Sequence, residues 1–167
     1  IQFGAQAVMS GTQDVIIYGG VEAMSTVAIG SNIRDGLANG RGVPKGERLE
    51  LQYPGIQFSQ FDGAELLAEK YEISRADLDA FGLLSHQRAA SATEKGYFKQ
   101  EIVPLNIKLE DGSADVHSVD EGIRAGATLE GMQSLNTLRE GGVITAGTAS
   151  QISDGAAAVM IANEKAV

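Results

Sequence analysis

The sequence predicts an α/β fold broken by an insertion, and three observations carry that prediction. Residues 1–18 give a small-residue helix, a four-residue turn and a fully apolar strand in succession. Strand-type apolar runs return at residues 143–146 and 156–161. The long stretch between lacks the apolar and small-residue content that its two flanks share, as an inserted subdomain would.

Ile1, Ala5 and Val8 place apolar side chains on one stripe of a helix over 1–9. Gly11-Thr12-Gln13-Asp14 is a turn, and Val15-Ile16-Ile17-Tyr18 is a short strand ending in Gly19-Gly20. An unbroken apolar strand of this kind predicts a buried, mostly parallel sheet. Residues 26–60 then lose sustained period, with Gly30, Gly36, Gly40, Gly42, Gly46, Gly55, Pro44 and Pro54 among charges of both signs. A loop that long inside a domain is usually functional or an inter-subunit contact.

A second helix is expected over 62–71, with Ala64, Leu67, Ala68 and Tyr71 as its stripe. The next has the clearest start signal: Ser74 as N-cap, Asp77 at the third helical position, and Ile73 set to staple onto Leu78. Leu78, Phe81, Leu84 and Ser85 share a face that continues through Ala89 and Ala92 until Gly96 stops the helix. Residues 102–107 read as an edge strand, because Pro104 removes a ladder donor. Residues 110–121 form an acidic surface turn, and 143–146 a second buried-type strand before the glycine-bounded segment 147–155. The helix-type opening at Ile1 and the strand-then-helix pattern running to Val167 lead to the expectation that the chain is an excerpt of a longer one.

Composition removes whole classes of chemistry. With 13 Lys+Arg against 22 Asp+Glu, the formal charge is −9, and the cations are scattered, so nucleic acid is not an expected partner. No apolar run approaches the ~20 residues of a membrane helix, so no membrane partner is expected either. The 167 residues include no cysteine, which excludes disulfides, thiolate metal sites and a Cys nucleophile within this stretch. Gly-x-Ser-x-Gly, the phosphate-cradling Gly-x-x-x-x-Gly-Lys-Ser/Thr loop and Gly-x-Gly-x-x-Gly after a strand do not occur. His86 sits off the apolar face of its helix and reads as solvated or surface-bonded; His117 lies in the acidic turn. The carboxylates at 110–121 lack calcium-loop spacing, so no metal site is expected.

Three glycine-rich segments remain. Residues 19–25 end a strand and permit tight turning or close backbone approach. In residues 122–128, Arg124 is flanked by small residues, as a surface charge or as a guanidinium open to an anion. Residues 147–155 form a strand-to-turn junction rich in donors, followed by Ala156-Ala157-Ala158, whose small side chains let another element or a ligand lie close.

Taken in order, these segments resemble the thiolases, acyl-CoA acetyltransferases that cleave or form the C–C bond of 3-ketoacyl-CoA thioesters. Gly-Gly-Val-Glu-Ala-Met-Ser at 19–25 is similar to the family's Gly-Gly-x-Glu-x-Met-Ser. Ser85-His86-Gln87-Arg88-Ala89 and Glu101-Ile102-Val103-Pro104 resemble its helix and following strand. Asp120-Glu121-Gly122-Ile123-Arg124, then Ala127-Thr128-Leu129-Glu130 with Leu135, resemble Asp-Glu-x-x-Arg and Thr-Leu-Glu-x-Leu. Residues 143–158 resemble the x-x-Thr-Ala-Gly-Asn-Ala-Ser-Gly-x-x-Asp-Gly-Ala-Ala-Ala block. Thr148 and Gln151 stand where Asn and Gly are common. Residues 58–65 keep only Ala64-Glu65 of the frequent Met-Gly-x-Thr-Ala-Glu, in a region bordering the family's acyl pocket.

The resemblance implies a thiolase-like α/β fragment. Residues 1–28 would belong to the N-terminal half-domain (helix and buried strands), 29–142 to an inserted, mainly helical loop domain that binds CoA and makes oligomer contacts, and 143–167 to the half-domain again. It implies acyl transfer between 3-ketoacyl-CoA and CoA in fatty acid metabolism and β-oxidation. The reactive Cys, activating His and second Cys would lie outside the chain, so no catalytic residue is expected within it. Arg124 is implied at the nucleotide end of coenzyme A, Leu135 near the adenine or pantetheine, and Ala146 and Ser150 along the pantetheine arm. CoA or acyl-CoA would be a substrate, with no permanently bound cofactor, in a cytoplasmic (organellar, if eukaryotic) homodimer or homotetramer. The other reading, a thiolase-like protein that holds acyl-CoA or a lipid without catalysis, stays open at this point.

Overall fold

Alternation along one strand sets the first contact of the fold. In β1 (Val15–Glu22), Ile16 and Tyr18 are half-buried while Ile17 between them is 70% exposed, so one face meets α1 (Gln2–Met9). Gly4 is the buried residue of α1, and a Cβ there would run into the Tyr18 ring; the glycine is what lets helix and strand touch. The computed structural model describes residues 1–56 and 58–167. Gln57, inside the stretch read as an irregular loop, lies outside the described residues. Two compact units are present: Ile1–Pro54 with Ile152–Val167, and Gly55–Gln151.

In the first unit, β1 pairs with β4 (Gly155–Ala162) in an antiparallel ribbon, from Val15 opposite Ala162 to Glu22 opposite Gly155. The pair is antiparallel where a mostly parallel sheet was expected. An all-apolar run reports that a strand is suited to cover on both faces, but carries no information on its neighbour's direction. The strands are also more exposed than expected: Val21 and Met160 are 80% and 66% exposed. Within this unit α1 is the element packed on the ribbon, so most of that apolar surface faces solvent. Both ends of the ribbon are stapled by side chains. At one end Asn163 donates to Asp14 through Nδ2 (2.6 Å) and its backbone N–H (3.0 Å). At the other, Asp154 accepts from the Ser25 backbone N–H (2.8 Å) and hydroxyl. These two Ser25 bonds hold the Asp154 carboxyl below its ordinary range. Gly19 and Gly20 lie opposite Ala158 and Ala157, so two of the small-residue segments share one stretch of ribbon.

Residues 26–60 are less irregular than their sequence reads. They hold α2 (Ser31–Ala38) and α3 (Glu47–Gln52). Both are short, and α2 is bracketed by Gly30 and Gly40 in the left-handed region (φ 78° and 63°), so these two glycines punctuate a helix instead of filling a loop.

In the second unit, α4 (Gln60–Lys70) starts two residues before the expected 62, because the Ser59 hydroxyl accepts from Phe61 and Asp62 N–H. The start of α5 (Arg75–Glu94) is as read: the Ser74 hydroxyl accepts from Asp77 N–H (3.2 Å) while the Asp77 carboxylate accepts from Ser74 N–H (3.1 Å). Gly96, at φ 72°, ends the helix as expected. The strand expected over 102–107 is β2 (Leu105–Lys108), which begins just after Pro104. The acidic turn folds back as β3 (Ala114–His117), Leu105 facing His117. Asp111 closes that hairpin by accepting from the Ser113 hydroxyl (2.6 Å) and N–H (2.9 Å). Residues 143–146 do not form a strand; Thr145 makes a single antiparallel bridge to Thr137.

The helix faces differ most from the sequence reading. Leu67, Tyr71 and Phe81, assigned to buried stripes, are 54%, 61% and 70% exposed. The buried residues of α4 are Glu65 and Ala68, and those of α5 are Asp79 and Gly82. On α5 the residues turned toward the rest of the unit are Arg75, Asp79, Gly82 and His86, one stripe at spacings of four, three and four. Gly82 meets α6 (Leu129–Gln133): a Cβ on it would lie 2.6 Å from Met132 Cε and 2.8 Å from the Gly147 carbonyl oxygen. Gly82→Ala gains up to about 1 kcal/mol of helix propensity but overpacks this junction at roughly 1–3 kcal/mol. The backbone carbonyl cannot yield as a side chain would, so the variant is expected to be net destabilised, seen as a lower unfolding midpoint by circular dichroism; an unchanged or raised midpoint would refute the junction.

Candidate functional site

Three polar side chains build the frame of the second unit. Arg75 and Asp79 are four apart on α5, and Arg75 Nε donates to both Asp79 oxygens (2.9 and 2.8 Å) with Asp79 fully buried. The pair aims Arg75 Nη2 at the carbonyls of Met132 (2.9 Å), Gln133 (3.4 Å) and Leu135 (3.0 Å), the open C-terminal end of α6. Glu65, 6% exposed, accepts from the backbone N–H groups of Val143 (2.9 and 3.1 Å) and Ile144 (3.0 Å). Burial pushes its carboxyl up, but those two donors and the nearby Arg139 guanidinium outweigh it and hold the group below its ordinary value. Among the described residues no buried side-chain nitrogen or oxygen lacks a partner.

On this frame rests the segment that carries two predicted residues. Thr145, fully buried, anchors a closed turn: its carbonyl accepts from the N–H of Thr148 (3.1 Å) and Ala149 (2.9 Å), and its own N–H donates to the Thr148 hydroxyl (3.1 Å). The Thr148 side chain thus closes the turn in which the resembling sequences commonly carry Asn. Ala146, within the turn, and Ser150, just after it, are exposed. Leu135 is half-buried and packs against Gly147, where a Cβ would meet Leu135 Cδ1 and Met132 Sδ and Cε, each at 2.9 Å.

Arg124 is exposed, and its guanidinium makes no ion pair among the described residues. Its backbone is held instead. Arg124 N–H donates to His86 Nδ1 (3.2 Å), and Gln151 Nε2 donates to the Gly122 carbonyl (2.6 Å). Gln151, the second departure from the resembling block, therefore links the Ser150 segment to the Arg124 segment. Two contacts relate the segments that carry the four predicted residues: Leu135 packs against Gly147 beside Ala146, and Gln151 beside Ser150 bonds the Gly122 carbonyl of the Arg124 loop. Arg124, Ala146 and Ser150 are exposed and Leu135 is half-buried. The 390 Å³ hollow between Asn32 and Pro44 and the 460 Å³ hollow beside Glu65 are lined by none of them. Among the described residues no group of His, Asp and Glu side chains could hold a metal ion, and no helix is long and apolar enough to cross a membrane.

Sequence reasoning missed Glu65, Arg75 and Asp79. For the last two a signal existed, opposite charges four apart directly after an N-cap. For Glu65 the signs were its place in the kept Ala64-Glu65 pair and its position three residues before Ala68, on the flank of an apolar stripe.

The family described as thiolase, N-terminal domain, matches residues 1–165. The steroid 3-ketoacyl-CoA thiolase FadA6 of Mycobacterium tuberculosis is 46% identical over all of this chain and 40% of its own length. The solved structure of acetyl-CoA acetyltransferase from Syntrophomonas wolfei superposes with a TM-score of 0.72 at 36% identity, covering 99% of this chain and 42% of that one. Human mitochondrial 3-ketoacyl-CoA thiolase gives 0.73 at 33% identity, with the same coverage. The chain spans less than half the length of the curated relatives it matches.

The Glu65 clamp has a signed pH dependence. Because its folded value is lowered from an ordinary 4.5, the stability it contributes is fully present above that value and lost as pH falls through the folded one. Glu65→Gln keeps the volume but offers one carbonyl oxygen and an NH₂ group to two N–H donors, and should cost roughly 1.5–3 kcal/mol at neutral pH. Urea unfolding of both proteins against pH should show that difference vanish on acidification. A constant gap across the acid range would mean the carboxylate is not what holds Val143 and Ile144.

Proposed function

This chain belongs to the thiolase N-terminal domain family, and on that premise we propose that it serves an acyltransferase moving acyl groups between 3-ketoacyl-CoA and CoA, by thiolytic cleavage or Claisen condensation. The observation that carries the reading is the family match running through residues 1–165, supported by relatives named as 3-ketoacyl-CoA thiolases and acetyl-CoA acetyltransferases. The share of that work assigned to these residues is the grip on coenzyme A. Thiolase chemistry calls for a thiolate to take the acyl group, and a chain with no cysteine does not supply one. The 167 residues alone are accordingly proposed to be inactive in acetyl transfer.

In this reading residues 29–142 form the loop domain inserted into a half-domain made by 1–28 and 143–167. The Arg124 guanidinium takes a phosphate oxygen pair at the nucleotide end of CoA, which its planar fork suits. Leu135 lends an apolar edge to the adenine or pantetheine. Ala146 is small enough to leave room for the pantetheine arm, and the Ser150 hydroxyl hydrogen-bonds one of its amides. CoA and acyl-CoA are substrates, not resident cofactors, and the assembly is a homodimer or homotetramer in the cytoplasm, or in an organelle of a eukaryote.

Calorimetric titration of CoA into the protein carrying this chain tests the assignment. Arg124→Ala should weaken binding about 10–100-fold, as expected for a lost charge-assisted contact, and the gap should narrow as salt rises. Equal affinities would remove Arg124 from the site. Measurable thiolysis by the 167 residues alone, purified away from any longer enzyme, would overturn the division of labour.

A further inference from the structure

Arg124 is exposed and its guanidinium makes no ion pair among the described residues, yet the peptide that carries it is fixed at several points. Asp120 Oδ1 accepts from Gly122 N–H (2.8 Å), and Gln151 Nε2 donates to the Gly122 carbonyl (2.6 Å). Two residues on, Arg124 N–H donates to His86 Nδ1 (3.2 Å) while the Arg124 carbonyl accepts from Ala127 N–H (3.0 Å). A Cβ on Gly122 would stand 3.0 Å from the Asp120 carboxylate and 3.1 Å from the Gln151 amide, so the glycine admits that clasp. None of these bonds uses the guanidinium. Holding a residue by its backbone while leaving its charged end free is the arrangement that lowers the entropy cost of a bound anion.

We infer that His86 is a positioning residue for anion recognition: by accepting the Arg124 N–H at Nδ1, on a rigid helix, it presets the Arg124 loop for the phosphate-bearing end of the ligand, with Gln151 as the second clasp. The inference rests on the proposed CoA reading and deepens it. His86 acts here as an acceptor, which places its own proton on Nε2. It belongs to the same α5 stripe as Arg75, Asp79 and Gly82, so its place is set by the helix and not by a loop. The bond needs an acceptor where Nδ1 stands. Asn presents Oδ1 near that point; Leu fills the volume without an acceptor.

The test compares His86→Leu, His86→Asn, Arg124→Ala and the His86→Leu/Arg124→Ala double variant with the unaltered protein. CoA and pantetheine, which lacks the nucleotide and its phosphates, are titrated into each. His86→Leu should bind CoA several-fold more weakly, on the order of one lost hydrogen bond, and pantetheine as before. His86→Asn should recover most of the CoA affinity. The double variant should be no weaker than Arg124→Ala, because the histidine acts only through the arginine. Unchanged CoA binding by His86→Leu, an equal loss for pantetheine, or additive losses in the double variant would each overturn the inference while leaving the CoA reading standing. An Arg124→Ala protein that binds CoA normally would instead sink that reading, and the inference with it.

Discussion

The arrangement of the second unit depends on one constraint, the periodicity of α5. Arg75, Asp79, Gly82 and His86 fall on a single stripe that runs about 16 Å along the helix at 1.5 Å per residue. Each of the first, third and fourth fixes a different segment: Arg75 the carbonyls at the end of α6 and of Leu135, Gly82 the 147 turn through its missing side chain, and His86 the Arg124 peptide. Asp79 holds no segment itself but aims Arg75. The helix is thus a ruler against which loops distant in sequence are set, and the capping box at Ser74–Asp77 fixes where the ruler starts.

This device differs from an ordinary apolar core. Apart from Ala68, Met132 and Ile144, the side chains most deeply buried are Asp79, Thr145 and Glu65, and each is buried because it holds backbone or a partner charge. Buried polar groups of this kind contribute little net stability, since their hydrogen bonds replace equally good ones to water. Their effect is directional: an unsatisfied Asp79 or Glu65 is costly enough that loop positions which leave them unpaired are excluded. On the proposed CoA reading, in which a guanidinium, a hydroxyl and a small-residue gap are presented at fixed places, exclusion of wrong loop positions matters more than depth of burial.

What the sequence disclosed follows the same division. Signals written in consecutive residues were legible: the Ser74 cap and the Gly96 stop. The order of the motifs disclosed the family. Signals that exist only across long separations were not. The antiparallel pairing of residues 15–22 with 155–162, the Glu65 bonds to 143–144 and the Gln151 bond to Gly122 join positions that no local pattern relates. The helix faces were misread for a different reason. Apolar spacing marks the side of a helix that is suited to burial, but here Leu67, Tyr71 and Phe81 of that side are exposed, while Glu65, Asp79 and Gly82 join Ala68 as the buried residues of α4 and α5.

Thr148 and Gln151 show why substitutions in a recognisable block need not loosen it. Read as a string, they replace an Asn and a Gly and put the turn geometry in question. In the structure Thr148 supplies a hydroxyl that accepts from Thr145 N–H within the turn, and Gln151 uses the reach of its longer side chain to bond a carbonyl 29 residues away. A glycine at 151 would offer backbone freedom and no such bond, leaving the Arg124 loop to its bonds with His86, Asp120 and Ala127. Greater reach at one position is therefore coupled to tighter placement at another, and the two sites are expected to vary together: where residue 151 is small, some other donor must reach the carbonyl of residue 122, or the loop carrying the arginine gains conformational freedom.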